Sequence, residues 1–155
     1  MSALKTTAHL LLYSLSFGGV TYYSYVASPI AFKSLPREQF SALQSHVFPQ
    51  FFITQAIAPI FIGLTSPFAL TTAGLSALAI GAVSGLANSI WLLPKTKALK
   101  EERLKYEEGS DEYKQLSKEF GKWHGVSLLF NLTWVLSVGG FGVGFAKNIA
   151  KIIPK

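Results

Sequence analysis

The side chains in this sequence with chemistry to offer are three histidines, eight acids and a scatter of amides and hydroxyls, with no cysteine. His9, His46 and His124 fall on separate segments, without the i,i+4 histidine pair or Cys/His spacing that a zinc site needs. The acids lie outside the apolar stretches, so a carboxylate-bridged di-iron site has no donors. No serine stands in a Gly-x-Ser-x-Gly elbow and no Gly-rich loop ends in Lys-Ser/Thr to cradle a phosphate. Without cysteine there is no thiolate nucleophile, thiolate metal site or disulfide. The expectation is a non-enzyme with no cofactor and no metal.

What remains is polar side chains set inside apolar sequence. Gln55, Asn88, Ser127 and Asn131 each lie a few residues from the end of an apolar stretch, where an unpaired amide in hydrocarbon is costly. His124, Ser127 and Asn131 follow i, i+3, i+7 and share a helix face, and His46 lies at the mouth of the stretch that holds Gln55. These six form a candidate intramembrane polar cluster, serving either as hydrogen-bonding glue between helices or as a small-solute or lipid-headgroup pocket.

The elements that must position them follow from the distribution of charge. Half of the residues are apolar, only 14% are charged, and from Val47 to Pro94 no side chain ionises. As one helix that stretch would run about 70 Å at about 1.5 Å per residue, roughly twice the ~30 Å of a hydrocarbon core, so two spans must fit. The spans are expected at about 8–27, 48–64, 67–93 and 123–146. Ser28-Pro29 should end the first, and Phe48-Pro49 should open the second, which Pro59 should kink. Ser66 should cap the third, with Pro67 at its first position. The first apolar segment exceeds a signal-peptide core, and Val26-Ala27-Ser28 is followed by Pro29, so it is expected to stay as a span.

Between the spans, Pro36 can open an interfacial helix carrying Phe40, Leu43 and Val47 on one face. Residues 95–122 read as a charged helical connection, broken near Gly109-Ser110, whose Leu99, Tyr106, Tyr113 and Phe120 repeat every seven residues. Ten of the fourteen basic residues sit in these two connections, and four lie in the N-tail and the tail from Lys147 to Lys155. That bias places connections one and three in the cytoplasm and assigns the net charge of +6 to topology and lipid headgroups rather than nucleic acid. Tyr22, Tyr23, Tyr25, Trp91 and Trp123 form an aromatic belt at the level of the connections. Ala73, Ala77, Gly81, Gly85 and Ser89 recur every fourth residue as a helix-packing seam, and Gly140 and Gly144 offer the same on the last span. The seam serves packing within the chain or a homo-oligomer.

Three stretches carry a likeness to a known family. Arg37, Phe40, Gln44, Phe48, Pro49 and Phe52 in SLPREQFSALQSHVFPQFF, Asn88, Pro94 and Thr96 in NSIWLLPKTK, and Phe120, His124, Gly125, Ser127, Asn131 and Leu132 in FGKWHGVSLLFNL fit its pattern. The chain resembles the transmembrane protein 205 family of small eukaryotic four-span proteins across most of its length. The resemblance implies a four-helix membrane protein of endomembranes or the cell surface and supplies no reaction or catalytic residues.

The combined expectation is a single all-α membrane domain over 1–155: a four-helix bundle with an interfacial helix after span one and a charged helical connection between spans three and four. Its function is expected in membrane organisation, trafficking or membrane-protein assembly. The alternative is a small-solute transporter, channel component or lipid-binding protein built on the polar cluster. Its partners are the lipid bilayer and either a second copy or another membrane protein, with no nucleic acid. The endoplasmic reticulum or another endomembrane is the expected location, with a mitochondrial membrane left open.

Overall fold

The computed structural model describes residues 3–152, and every regular element among them is helical. Helix α1 (Ala3–Tyr22) passes through a π-turn (Tyr23–Ala27) into α2 (Ser28–Ser34), and the run ends where Leu35 turns extended. Helix α3 (Arg37–Thr65) follows, then α4 (Thr72–Ala87), a second π-turn (Asn88–Leu92) and α5 (Leu93–Arg103). The chain closes with α6 (Asp111–Ile152), a single helix of 42 residues. Residues 153–155 of the expected basic tail lie outside the described residues.

Several expected helix ends are absent, and prolines explain most of the difference. Ser28-Pro29 does not stop the first run; a π-turn intervenes, with the Ser28 N–H bonded to the Tyr23 carbonyl. The same arrangement recurs before Pro94, where Asn88–Leu92 is also a π-turn. In each case the wide turn ends two residues before the proline, where it displaces the i−4 carbonyl that the ring would otherwise strike. Phe48-Pro49 does not open a helix either, because α3 is continuous from Arg37, with Pro36 at its N-cap and Pro49 and Pro59 inside it. No break therefore separates the expected interfacial segment from the expected second span. An internal proline loses one backbone bond, whereas a break would leave several groups unpaired at each new end.

The turn after α3 also differs. Ser66 does not N-cap α4: it is the C-cap of α3, its N–H donating to the Gly63 carbonyl and its hydroxyl to the Phe68 carbonyl at 2.9 Å. The cap of α4 is Thr71, whose Oγ1 accepts from the Gly74 N–H at 3.1 Å. Phe68 in the intervening segment packs on Phe145, ring centroids 5.5 Å apart, which holds the chain off a helical path until Thr72. At the charged connection, the break near Gly109 is present. Gly109 has φ +96°, a conformation side chains resist, and the Ser110 hydroxyl accepts from the Tyr113 N–H to start α6.

The core is built around α6. Trp134 and Val138 are fully buried and meet Ile62 and Ala58 of α3, Leu78 of α4 and Val20 of α1. The closest approach is between α3 and α4: a Cβ added at Gly85 would collide with the backbone of Gln55 and Ala56. The outer surface is the reverse of a soluble protein's, with Leu15, Leu64, Ile90 and Leu136 all more than 60% exposed. By length and composition, the helices Arg37–Thr65, Thr72–Arg103 and Asp111–Ile152 can each cross a membrane. These are the helices of a membrane protein.

Candidate functional site

The backbone defect at Pro59 organises the site. Proline has no N–H to give the carbonyl one turn earlier, so the Gln55 carbonyl is freed inside α3. Trp134 fills the gap from α6, its indole Nε1 donating to the Gln55 oxygen at 2.7 Å with both residues fully buried. Gly85 makes this approach feasible on the α4 side, since its missing side chain lets α4 lie against the same Gln55 peptide.

The Gln55 side chain continues the network. Its Nε2 donates to Asn131 Oδ1 at 2.5 Å, and Asn131 Nδ2 donates in turn to Ser24 Oγ at 3.0 Å. Ser24 lies in the first π-turn. One turn back on α6, Ser127 donates to Asn88 Oδ1 at 2.7 Å while Asn88 Nδ2 donates to the Ser127 carbonyl at 3.2 Å. Asn88 opens the second π-turn. The layer thus draws on all four helical runs, and both π-turns fall at its level. Nearer the connections, Gln44 accepts from the Tyr23 hydroxyl at 2.7 Å and donates to Ser28 at 3.0 Å.

Of the six residues singled out from sequence, the structure brings Gln55 to Asn131 and Asn88 to Ser127 by direct bonds. His46 and His124 stand apart from these bonds. His46 is exposed on α3, and His124 is half-buried and stacked on Phe120 with ring planes 7° apart. Of the seam, Gly81 and Gly85 are buried and Ala77 packs against the core, whereas Ala73 is exposed and Ser89 half-buried. Gly140 and Gly144 on α6 are exposed, with nothing within 4 Å of an added Cβ.

Sequence reasoning missed Ser24, Gln44 and Trp134. Gln44 and Gln55 are three helical turns apart and so share a face, a usable signal. The Trp134 bond also has one, because Pro59 frees a carbonyl that some donor must meet. His9 had none: it is fully buried at the other end, where Nδ1 meets Thr65 Oγ1 at 3.2 Å and its ring lies 4.6 Å from that of Phe145.

Chemically, the layer consists of neutral amides, hydroxyls and an indole that bond mainly to one another. Four buried side-chain atoms have no partner among the described residues: Gln55 Oε1 in the layer, Thr21 Oγ1 just before the first π-turn, and His9 Nε2 and Arg103 Nε elsewhere. No three His, Asp or Glu side chains among the described residues come together as metal ligands would.

The chain belongs to the family described as Domain of unknown function (DUF4149), whose model matches residues 11–105. The match takes in Ser24, Gln55 and Asn88 and stops before α6, which supplies Ser127, Asn131 and Trp134. No solved structure matches the chain.

Proposed function

We propose that this is a four-span, non-enzymatic membrane protein that acts through lateral contacts in the bilayer, in membrane organisation, trafficking or the assembly of other membrane proteins. The four spans are the α1–α2 run, α3 from about Phe48, the α4–α5 run to about Leu93 and α6 from about Trp123. The amphipathic start of α3 lies in the interface, and the two charged connections face the cytoplasm. The resemblance to the transmembrane protein 205 family supports an endomembrane location. The observation that carries the reading is the polar layer itself. Gln55, Asn88, Ser127 and Asn131 direct their hydrogen bonds at each other rather than at an open space. Such side chains lock helix register and leave the lipid-facing surface to engage partners. Extraction in a mild detergent followed by crosslinking should recover a membrane-protein or lipid partner; a bare monomer from every preparation would refute the reading.

A transporter or channel component is the second reading. It is favoured by the orphaned Gln55 Oε1 and Thr21 Oγ1 beside a π-turn, since such turns often sit at functional sites. Four spans require a homo-oligomer to enclose a path. Flux of small solutes in liposomes holding the purified chain, lost in Gln55→Leu, would establish this reading over the first.

A further inference from the structure

At the end opposite the polar layer, a groove of about 430 Å³ lies against α4, α6 and the segment before α4. Small residues, Ala73, Gly74 and Ala77 on α4 and Gly140 and Gly144 on α6, line it together with Phe68 and Leu70 of the segment before α4. Phe141 and Phe145 form the floor. The volume falls within the range of small-molecule sites, roughly 300–1,000 Å³. Nothing in the described chain fills it, and Gly140 and Gly144 face open space there.

The rim is charged in one sense only. Lys147 and Lys151, one turn apart on α6, line the groove together with Asn148 and Thr71, and no acid does. Every acid of the chain lies between Glu38 and Glu119, in the two connections at the far end. Among the described residues, the lysines have no acidic side chain at this end to pair with. An apolar slot between two helices, rimmed by two ammonium groups and by no described acidic side chain, has the chemistry of one amphiphile. We propose that the groove holds an anionic phospholipid, with an acyl chain between α4 and α6 and its phosphate bonded by Lys147 and Lys151. The lipid closes the gap between the two helices as a structural ligand. This goes beyond the lateral-contact function and does not depend on which protein partner is engaged.

The test is native mass spectrometry of the full chain released from micelles doped with equal phosphatidylglycerol and phosphatidylcholine. The expected result is a single retained phosphatidylglycerol, preferred by about twentyfold, as two lysines near a headgroup should give. In Lys147→Gln/Lys151→Gln the preference should vanish while phosphatidylcholine is still retained. In Gly144→Leu, whose Cβ meets nothing of its own chain within 4 Å and whose side chain would occupy the groove, retention of both lipids should fall. Circular dichroism checks that each variant stays helical. A preference unchanged in the double lysine variant would overturn the proposal, because the charge would then act diffusely. A dimer that dissociates in Gly144→Leu would overturn it too, assigning the groove to a second copy of the chain.

Discussion

The two ends of this helix assembly are held by different means. Toward the charged connections, helices meet through paired amides and hydroxyls, with Asn131 bonded to both Gln55 and Ser24 and Asn88 bonded reciprocally to Ser127. Toward the termini, contact is chiefly by rings: Phe145 lies against His9 and Phe68, the Tyr13 hydroxyl reaches the Val138 carbonyl only at 3.4 Å, and His9 Nδ1 meets Thr65 Oγ1 at 3.2 Å. The difference follows from the solvent. In lipid an apolar side chain gains little by choosing a helix over a hydrocarbon tail, so rings fill space without defining register. A buried amide has few acceptable partners and so fixes which residues face each other. One end sets the alignment, and the other closes around it.

The largest expected effect is at Gly85. Gly85→Leu would drive a side chain into the Gln55 and Ala56 backbone, which cannot yield as a side chain can. It should cost at least about 3 kcal/mol or prevent folding. Gly18→Leu, on an exposed face where an added Cβ meets nothing within 4 Å, should stay within about 0.5 kcal/mol of the parent chain. Unfolding in a denaturing detergent compares the two; equal stability would remove the claim that α3 and α4 meet backbone to backbone.

Next comes the indole bond. Trp134→Phe leaves the Gln55 carbonyl without its donor and should cost about 1–3 kcal/mol. Pro59→Ala restores an N–H for that carbonyl, so Pro59→Ala/Trp134→Phe should recover part of the loss. Failure of this rescue would mean that Trp134 acts through its volume alone. At the ring-packed end, Phe145→Leu should cost under about 1.5 kcal/mol, because apolar neighbours can resettle. A cost above that of Trp134→Phe would invert the comparison between the ends.

The smallest effect lies in the charged connection. The Lys105 ammonium is held above its ordinary pKa, chiefly by its hydrogen bond to Glu102. A raised lysine value favours the folded chain below the ordinary lysine range and loses that contribution as pH climbs through the raised one. In Glu102→Gln, NMR titration should find the Lys105 pKa lower, with folding unchanged at neutral pH. A shift in stability there would show that the connection supports the helices.

Apolar runs, the glycine break at Gly109 and the faces of Gln55 and Asn131 were legible because each depends on local spacing. Helix continuity was not. Pro29 and Pro49 read locally as boundaries, yet the helix passes through both, at Pro29 by widening into a π-turn, as it does again before Pro94. Whether a proline ends a helix depends on who meets the freed carbonyl, and at Pro59 that is Trp134, far along the chain. His46 and His124 drew notice as titratable groups near the layer. His46 lies on the outside of α3, and the His124 ring turns to Phe120. The pairing of His9 with Thr65 joins residues 56 apart and left no periodic trace.

The central claim is that the polar layer is a mutual lock between helices. The direct measurement is a double-mutant cycle with Gln55→Leu and Asn131→Leu, reading the unfolding free energy of the chain in bilayer nanodiscs. A lock predicts that Asn131→Leu alone costs about 1 kcal/mol, with a coupling between the sites of about 0.6–1.7 kcal/mol, the range of interhelical bonds in membranes. Additive losses with no coupling would contradict it, since the Gln55–Asn131 bond is removed by either substitution and cannot be lost twice.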